Sequence, residues 1–586
     1  MRFKLTVQNW RSYIPILGVI THYRRSDFGH DLAAGLVVGV ITIPQAIAYA
    51  FLAGLPPQAG LYACLAPMVI YAVLGSSRQL VVGPVAIAAL MVAAAIGQYA
   101  PLHSEAYLGI ATVLCLQAGV FLWLLRVWNM GGVVNLLSHP VIVGFVNAAA
   151  LLIIISQISA FTGIAGGTST NPLDRLLLLL ANAESVNAAT VAVGAGCFIG
   201  LWLVRSWAVP VARILLRPFG RGLEDQHAIS RLGPLLVAST AALVVGGWDL
   251  DVGAGVATVG HVPSGLPSFT LPPFNWEMWT DLAPSSAMIA VVAYVESFSI
   301  GTTLATRKRT RVNANQELIA LGAANISAAF TGAYPVAGSF SRSSVNYDTG
   351  ARTQVSSLVC ALVVMLTLLF FTPLFTRLPH AALAAIVITS VTGLIDFRSF
   401  RTHWRIYPED SVTQLVTLTT VLLFGVEAGL ITGVVLSIAF FVRQSSRPHI
   451  AIVGRVGESE HFRNIRRHDV EILHQVTAAR VDENLFFANA NQVENKLMKV
   501  VQRRPATTDL LLVCSAINMI DISGLEMLYR VNHTLEEMGI KLHLSEVKGP
   551  VMDQLEATDF IVGMSGSVFF TTDQAMRNLA VRNPDG

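Results

Sequence analysis

The chain has 586 residues, of which 53% are hydrophobic and only 13% charged, whereas soluble domains carry roughly 25% charged residues. That composition excludes an ordinary soluble globular protein. The formal net charge of +3 is uninformative as a sum, and no nucleic-acid partner is expected.

Thirteen or fourteen long apolar stretches fill the first three quarters of the chain. A stretch of about twenty apolar residues matches a hydrocarbon core of ~30 Å, and lipid admits only helices or closed barrels. These runs are too long for barrel strands, so they predict helices. The first thirty residues are mixed and polar, with no cleavable signal peptide visible.

Lys and Arg fall in alternate gaps. Arg24 and Arg25 precede the first run, Asp31 to Ala53; the next gap, Gly54 to Gln58, has neither residue type. Arg78 follows the second run, Arg126 the fourth, and Arg205, Arg213, Arg217, Arg221 and Arg231 the sixth. Arg307-Lys308-Arg309-Thr310-Arg311 follows the eighth, Arg342 and Arg352 mark the tenth, and Arg398, Arg401 and Arg405 come after the twelfth. Arg443, Arg447 and Arg455 close the series. Single arginines, Arg175 and Arg377, are the exceptions in the opposite gaps. The alternation predicts about fourteen crossings with both termini cytoplasmic.

The third and tenth crossings break the helical pattern. The third reads Val81-Val82-Gly83-Pro84-Val85-Ala86-Ile87. Proline suits a first helical turn, so a helix is predicted to begin at Pro84, partway through the membrane. The tenth reads Gly338-Ser339-Phe340-Ser341-Arg342-Ser343 after Gly332 and Pro335, and Ser339 is the predicted N-cap. The two crossings run in opposite directions, so their half-helix N-termini meet near the midplane. Each end carries roughly +0.5 charge and free N–H groups, and together they form an anion site. A separation of seven crossings is the inverted-repeat plan of secondary transporters. Ordinary Gly/Pro kinks in spanning helices are the alternative.

Charged and polar residues inside these runs extend the argument. Glu296 lies within the eighth crossing, either as a proton or cation coupling group or as a structural partner of Arg342. Gln45 follows Pro44 in the first crossing and reads as substrate-facing or as a helix–helix contact, and Tyr49 lies one turn on. Glu427 sits at a turn and reads as interfacial. Five cysteines, Cys64, Cys115, Cys197, Cys360 and Cys514, show no metal spacing and read as small buried hydrophobes.

Beyond about Pro448 the composition becomes charged and mixed. Val470–Ala478, Leu485–Ala488, Asp509–Ser515 and Lys541–Ser545 read as strands. Gln492–Val500, a segment ending near Gly539, and Val551–Ala557 read as helices. The alternation predicts a small α/β domain, with no phosphate loop or metal cluster, suited to regulation or docking. The resulting division is a cytoplasmic segment 1–30, a transport domain 31–445 and a cytoplasmic domain 446–586.

Several stretches resemble the SulP family of inorganic anion transporters, bacterial relatives of mammalian anion exchangers such as prestin and pendrin. They are Pro44-Gln45-Ala46-Ile47-Ala48-Tyr49, Gly54-Leu55-Pro56-Pro57-Gln58-Ala59-Gly60-Leu61-Tyr62, Val82-Gly83-Pro84, Asn315-Gln316-Glu317-Leu318-Ile319-Ala320 and Gly338-Ser339-Phe340-Ser341-Arg342-Ser343. The tail resembles a STAS domain. Its Asp521-Ile522-Ser523-Gly524 is similar to the loop whose serine is phosphorylated in anti-sigma-factor antagonists. Ser523 occupies that position; a helix N-cap is the simpler role.

The resemblance implies a multi-pass α-helical membrane protein of seven plus seven inverted repeats, with core and gate domains. It places the anion between the third and tenth helices, lined by Gln45, Tyr49, Val85, Ser339, Phe340 and Ser341. Backbone N–H groups near Val85, Ala86 and Phe340 to Arg342 would donate to it. Val85, often aromatic in the mammalian branch, implies a looser contact. A homodimer in a bacterial inner membrane is implied, with a possible protein partner for the tail. Sulfate is the first choice of anion, with proton symport through Glu296 preferred over Na⁺ because no complete oxygen cage is seen. Bicarbonate (Na⁺-coupled) and dicarboxylate transport, an anion channel and a transport-inactive sensor are the alternatives. No cofactor is expected, and no nucleophile–base pair points to an enzyme.

Overall fold

A computed structural model of the chain describes residues 14–97, 99–100, 104–132, 138–164, 172–216 and 233–582. Arg217, Arg221 and Arg231 of the predicted basic gap lie outside the described residues. The chain divides into two compact units, Met1–Val434 and Val435–Gly586.

In the first unit, α1 is Arg25–Leu52, and the second apolar segment comprises α2, Pro57–Tyr62, and α3, Ala66–Leu74. The third segment is a two-residue strand β1, Val82–Gly83, followed by α4, Ala86–Ile96. Then come α5, Glu105–Val127; α6, His139–Thr162; α7, Ala188–Leu216; α8, Gly233–Gly247; α9, Trp276–Arg307; and α10, Ala314–Phe330. The tenth segment repeats the design of the third, with β2, Ala337–Gly338, leading into α11, Phe340–Asp348. The unit continues with α12, Val355–Leu366, and α13, His380–Thr392. A short helix α14, Arg398–Ile406, precedes α15, Pro408–Phe424, and α16, Val426–Ser445.

Seven of these helical segments are long and apolar enough to cross a membrane. The shorter helices include the half-helices α4 and α11, so the apolar segments match the fourteen that the charge alternation marks out. Helix α1 runs unbroken through Pro44, a proline that neighbouring helices can accommodate in a membrane bundle. Packing falls into two groups. In one, α1 lies against α12, and α10 lies against α3 and α5, with α9 also on α5. In the other, α6 packs on α13 and α15, and α7 on α8 and α13.

Beyond α16, the second unit carries a six-stranded sheet with β3 at Ile450–Arg455, β4 at Phe462–Asn464, β5 at Val476–Val481, β6 at Asp509–Val513, β7 at Lys541–Ser545 and β8 at Val568–Phe569. Strand order is β4-β3-β5-β6-β7-β8, parallel from β5 to β8. Helices α17, Ala490–Gln502; α18, Ile522–Glu537; α19, Gly549–Glu556; and α20, Thr572–Arg582, accompany it. The central β6, Leu510-Leu511-Leu512, is buried on both faces, as a covered parallel strand requires.

Three local expectations are corrected. The strand predicted at Val470–Ala478 runs from Val476 to Val481, because Glu471 instead makes an isolated bridge to Arg455. The strand predicted at Leu485–Ala488 reduces to one bridge from Leu485 to Ile520, after which Asn489 turns the chain into α17 through its bond to the Phe486 N–H at 3.1 Å. Ser523 is not the cap of α18. Asp521 caps it, accepting from the Gly524 N–H at 2.8 Å and from the Phe487 N–H at 2.8 Å, and Ser523 sits in the first turn.

Candidate anion site

Strands β1 and β2 pair antiparallel, Val82 opposite Gly338 and Gly83 opposite Ala337. The Ser339 N–H extends the ladder by donating to the Val81 carbonyl at 3.0 Å. Each strand turns at once into a helix, so a ladder two pairs long holds both helix N-termini within a few residues of one crossing point. This is the arrangement expected from the two Gly/Pro interruptions. One boundary differs: α4 begins at Ala86, not Pro84, and Val85 is its extended cap residue at φ −130°, ψ 150°. The Pro84 carbonyl is already engaged by the Arg342 guanidinium at 2.6 Å, and an extended Val85 keeps it there.

On the other side Ser339 is the N-cap, as expected, its Oγ accepting from the Arg342 N–H at 3.4 Å. Side chains from neighbouring helices fix the crossing. Ser297 Oγ accepts from the Gly338 N–H at 2.7 Å and donates to the Ala293 carbonyl at 2.5 Å. Ser343 Oγ accepts from the Val81 N–H at 2.9 Å. Asn346 Nδ2 donates to the Gln79 carbonyl at 3.1 Å. Asn325 clasps Val336 from both sides, at 2.9 and 3.1 Å. A Cβ at Gly83 would lie 2.9 Å from Arg342 Nη1, so the guanidinium would have to shift to admit one. At Gly338 a Cβ would lie 2.7 Å from Leu80 Cδ1.

Arg342 is fully buried. Besides Pro84, its Nη1 lies 4.0 Å from Cys64 Sγ, and its Nε has no hydrogen-bond partner. No direct ion pair joins it to Glu296 among the described residues, although the two lie within electrostatic range of each other. Glu296 also lines a cavity of about 190 Å³ with Ser299, Phe340, Ile87, Phe145 and Leu430 among its walls. Its Oε2 is buried without a partner. Unpaired buried polar atoms are rare and call for a ligand, a water or a functional reason.

Of the expected lining residues, Phe340 and Glu296 border that cavity. Phe340 is 46% exposed and Ser341 is also exposed. Val85 packs with Ala88, Ala293 and Ala337, bringing both leads against α9. Ala86 and Ser339 are buried at the helix starts. Gln45 is buried with Oε1 unpartnered, and Tyr49 lies within electrostatic range of both Arg342 and Glu296. Gln45, Tyr49, Val85, Ala86, Ser339, Ser341 and Arg342 do not wall the cavity itself.

Sequence reasoning overlooked Ser297, Asn325 and Tyr334, the last fully buried with its hydroxyl unpartnered. It also overlooked Glu317, buried and held by Tyr71 Oη at 2.7 Å, Ser76 Oγ at 2.7 Å and the Ser76 N–H at 2.8 Å. Glu317 lies in the first turn of α10, where an acidic residue is commonplace, so its burial had little signal in the sequence. Ser297 gave none, because its partner Gly338 is distant in sequence; Asn325, which reaches Val336 just past the end of its own helix, was a polar residue in an apolar helix that went unread.

Residues 28–417 match the sequence model described as the sulfate permease family, and residues 467–575 match that of the STAS domain. A probable sulfate transporter 4.2 of Arabidopsis thaliana is 33% identical over 97% of this chain and 83% of its own. A probable sulfate transporter of Mycobacterium tuberculosis (strain ATCC 25618 / H37Rv) is 32% identical over 94% of this chain and 95% of its own. Among solved structures, the murine Solute Carrier 26 family member A9 anion transporter in its inward-facing state aligns with a TM-score of 0.88 at 23% identity, covering 99% of this chain and 96% of that one. The transmembrane domain of the cyanobacterial bicarbonate transporter BicA aligns at 0.59 and 20% identity, covering 70% of this chain and 98% of that one. These two likenesses establish the fold. The chain is a multi-pass membrane protein that belongs to the sulfate permease family, a family of transporters rather than enzymes, and it ends in a STAS domain.

Proposed function

We propose that this chain moves sulfate across a membrane by proton symport, with the anion held between the N-termini of α4 and α11. The observation that carries this reading is the β1–β2 crossing, which sets two helix N-termini and a buried arginine around one point. Backbone amides at Ala86, Phe340 and Ser341 supply donors that do not titrate, and the Arg342 N–H, now held by Ser339 Oγ at 3.4 Å, adjoins them. The helix ends and the Arg342 charge favour an anion without a formal counter-charge beside it. Ser339 supplies a hydroxyl at the start of α11, and Gln45 and Tyr49 lie on α1.

Glu296 is the coupling group in this reading. A carboxylate on an apolar cavity wall is costly when ionised, and protonation relieves that cost. Uptake of the proton with a divalent anion reduces the charge carried inward. Phe340 and the two helix groups supply the moving boundary for alternating access, and a homodimer in a bacterial inner membrane with cytoplasmic termini is the setting. Bicarbonate or dicarboxylate transport keeps the same site with a different anion. The names of the relatives, sulfate transporters of a plant and a mycobacterium, favour sulfate.

The test is counterflow of radiolabelled sulfate in proteoliposomes, with bicarbonate, succinate and fumarate as competitors and a proton gradient of either sign. Accumulation stimulated by an inward proton gradient supports the reading. Absence of sulfate uptake, with uptake of a labelled competitor, moves the assignment to that anion.

A further inference from the structure

Helix α14 serves neither the crossing nor the cavity. It connects α13 to α15 and reads Arg398-Ser399-Phe400-Arg401-Thr402-His403-Trp404-Arg405-Ile406. Arg398, Arg401 and Arg405 follow the spacing i, i+3, i+7, which puts them on one face. All three are exposed, and no ion pair engages any of them among the described residues. Phe400 and Trp404 lie one turn apart with ring centroids 5.8 Å from each other, and Trp404 is 51% exposed. The flanking Phe397, Ile406 and Tyr407 are exposed too.

The helix is fixed in place. Asp396 Oδ1 accepts from the N–H groups of Arg398 and Ser399 at 2.9 and 3.1 Å, capping its start. Asn147 on α6 pins the same residue, donating to the Asp396 carbonyl at 3.0 Å and accepting from its N–H at 2.7 Å. The His403 ring meets His139 at the start of α6, centroids 5.9 Å apart. Ser411 Oγ on α15 donates to the Phe400 carbonyl at 3.4 Å. The acids nearby are Asp396, committed to the cap, and Glu409 and Asp410 in the first turn of α15.

A basic stripe beside an aromatic pair, tied to two membrane spans, matches an interfacial helix. Counting spans puts α14 at the same membrane face as the run Arg307-Lys308-Arg309-Thr310-Arg311. We propose that α14 is a built-in seat for anionic phospholipid headgroups, its three arginines taking the phosphates while Phe400 and Trp404 enter the boundary of the acyl layer. Charge complementarity selects anionic lipid over zwitterionic lipid, and the absence of acidic residues on the helix leaves the stripe free to act.

Each basic residue near a membrane surface contributes roughly fivefold to anionic-lipid binding. The full-length protein, purified in detergent, is therefore to be offered equal amounts of phosphatidylglycerol and phosphatidylcholine and examined by native mass spectrometry. Wild type retains phosphatidylglycerol preferentially. The triple variant R398Q/R401Q/R405Q loses at least roughly tenfold of that preference, while R443Q/R447Q, at the end of α16, keeps it. An unchanged preference in the triple variant overturns the proposal. So does an equal loss in R443Q/R447Q, which would mark diffuse surface charge. If the triple variant fails to fold, the three single variants answer the question: each should lower the preference stepwise, and no change in any of them overturns it.

Discussion

Replacing Arg342 with methionine separates its electrostatic role from its structural one. The guanidinium is fully buried and donates to the Pro84 carbonyl at 2.6 Å. Losing that donor leaves a buried acceptor unpaired, at about 1–3 kcal/mol. Part of this is offset because a charge is no longer buried, and the methionine stem fills much of the same volume. The fold should therefore survive with a modestly lower thermal midpoint. Anion binding should suffer far more. With an effective dielectric constant of about 20 and a charge separation on the order of 8 Å, each unit of anion charge is worth about 2 kcal/mol. That is roughly thirtyfold in affinity for a monovalent anion and roughly a thousandfold for divalent sulfate. The assay is isothermal titration of sulfate and of a monovalent anion into detergent-solubilised protein, with thermal unfolding as the folding control. Arg342→Lys, which keeps the charge but not the planar fork, should fall between wild type and methionine. A folded R342M protein that binds sulfate within about threefold of wild type would refute the reasoning.

Four further outcomes follow from the geometry. Glu296→Gln should abolish pH-driven uptake while sparing sulfate binding; unchanged uptake across pH would remove the coupling role. Ser297→Ala strands the Gly338 N–H, so the thermal midpoint of the full chain should fall by an amount equivalent to about 1–3 kcal/mol, and an unchanged midpoint would show that the crossing does not need it. Asp521→Ala removes both the α18 cap and the acceptor of the Phe487 N–H, at about 1–2 kcal/mol, whereas Ser523→Ala should be close to neutral; chemical denaturation of the full chain followed in the second unit distinguishes them. Burial alone would raise the Asp482 carboxyl, but hydrogen bonds from Arg480 and His449 outweigh it and hold the carboxyl below its ordinary value of 3.8. A depressed carboxyl contributes stability that is present above the unfolded value and lost as pH falls through the folded one. Acid unfolding of wild type should thus steepen below about pH 4, and Asp482→Asn should lose that component; an identical acid profile for both would contradict it.

The spans were legible because the bilayer forces length and charge to alternate. The half-helices were legible because Gly83-Pro84 and Gly338-Ser339 cannot continue a helix at those points without cost. The start of α4 was misplaced by two residues, since local proline preference carries no information about a guanidinium arriving from residue 342. Ser297 and Ser343 were missed for the same reason: their bonds to Gly338 and Val81 join segments far apart in the chain. In the tail, the apolar β6 announced itself, while β4, a three-residue edge strand of mixed composition, did not; β3 was passed over although Ile450-Ala451-Ile452-Val453 is apolar. Ser523 drew attention from its motif, yet Asp521 two residues earlier has the side chain and geometry for the cap.

The most direct measurement of the central claim is the location of a bound sulfate analogue. Selenate, an isosteric oxyanion with an anomalous scatterer, can be introduced into crystals of the full-length protein after its competition with sulfate uptake is verified. The account predicts one selenium peak at the β1–β2 crossing, within hydrogen-bonding reach of the amides of Ala86 and of Phe340 to Arg342. A peak elsewhere in the transport unit, with the crossing empty while selenate still competes for uptake, would contradict it.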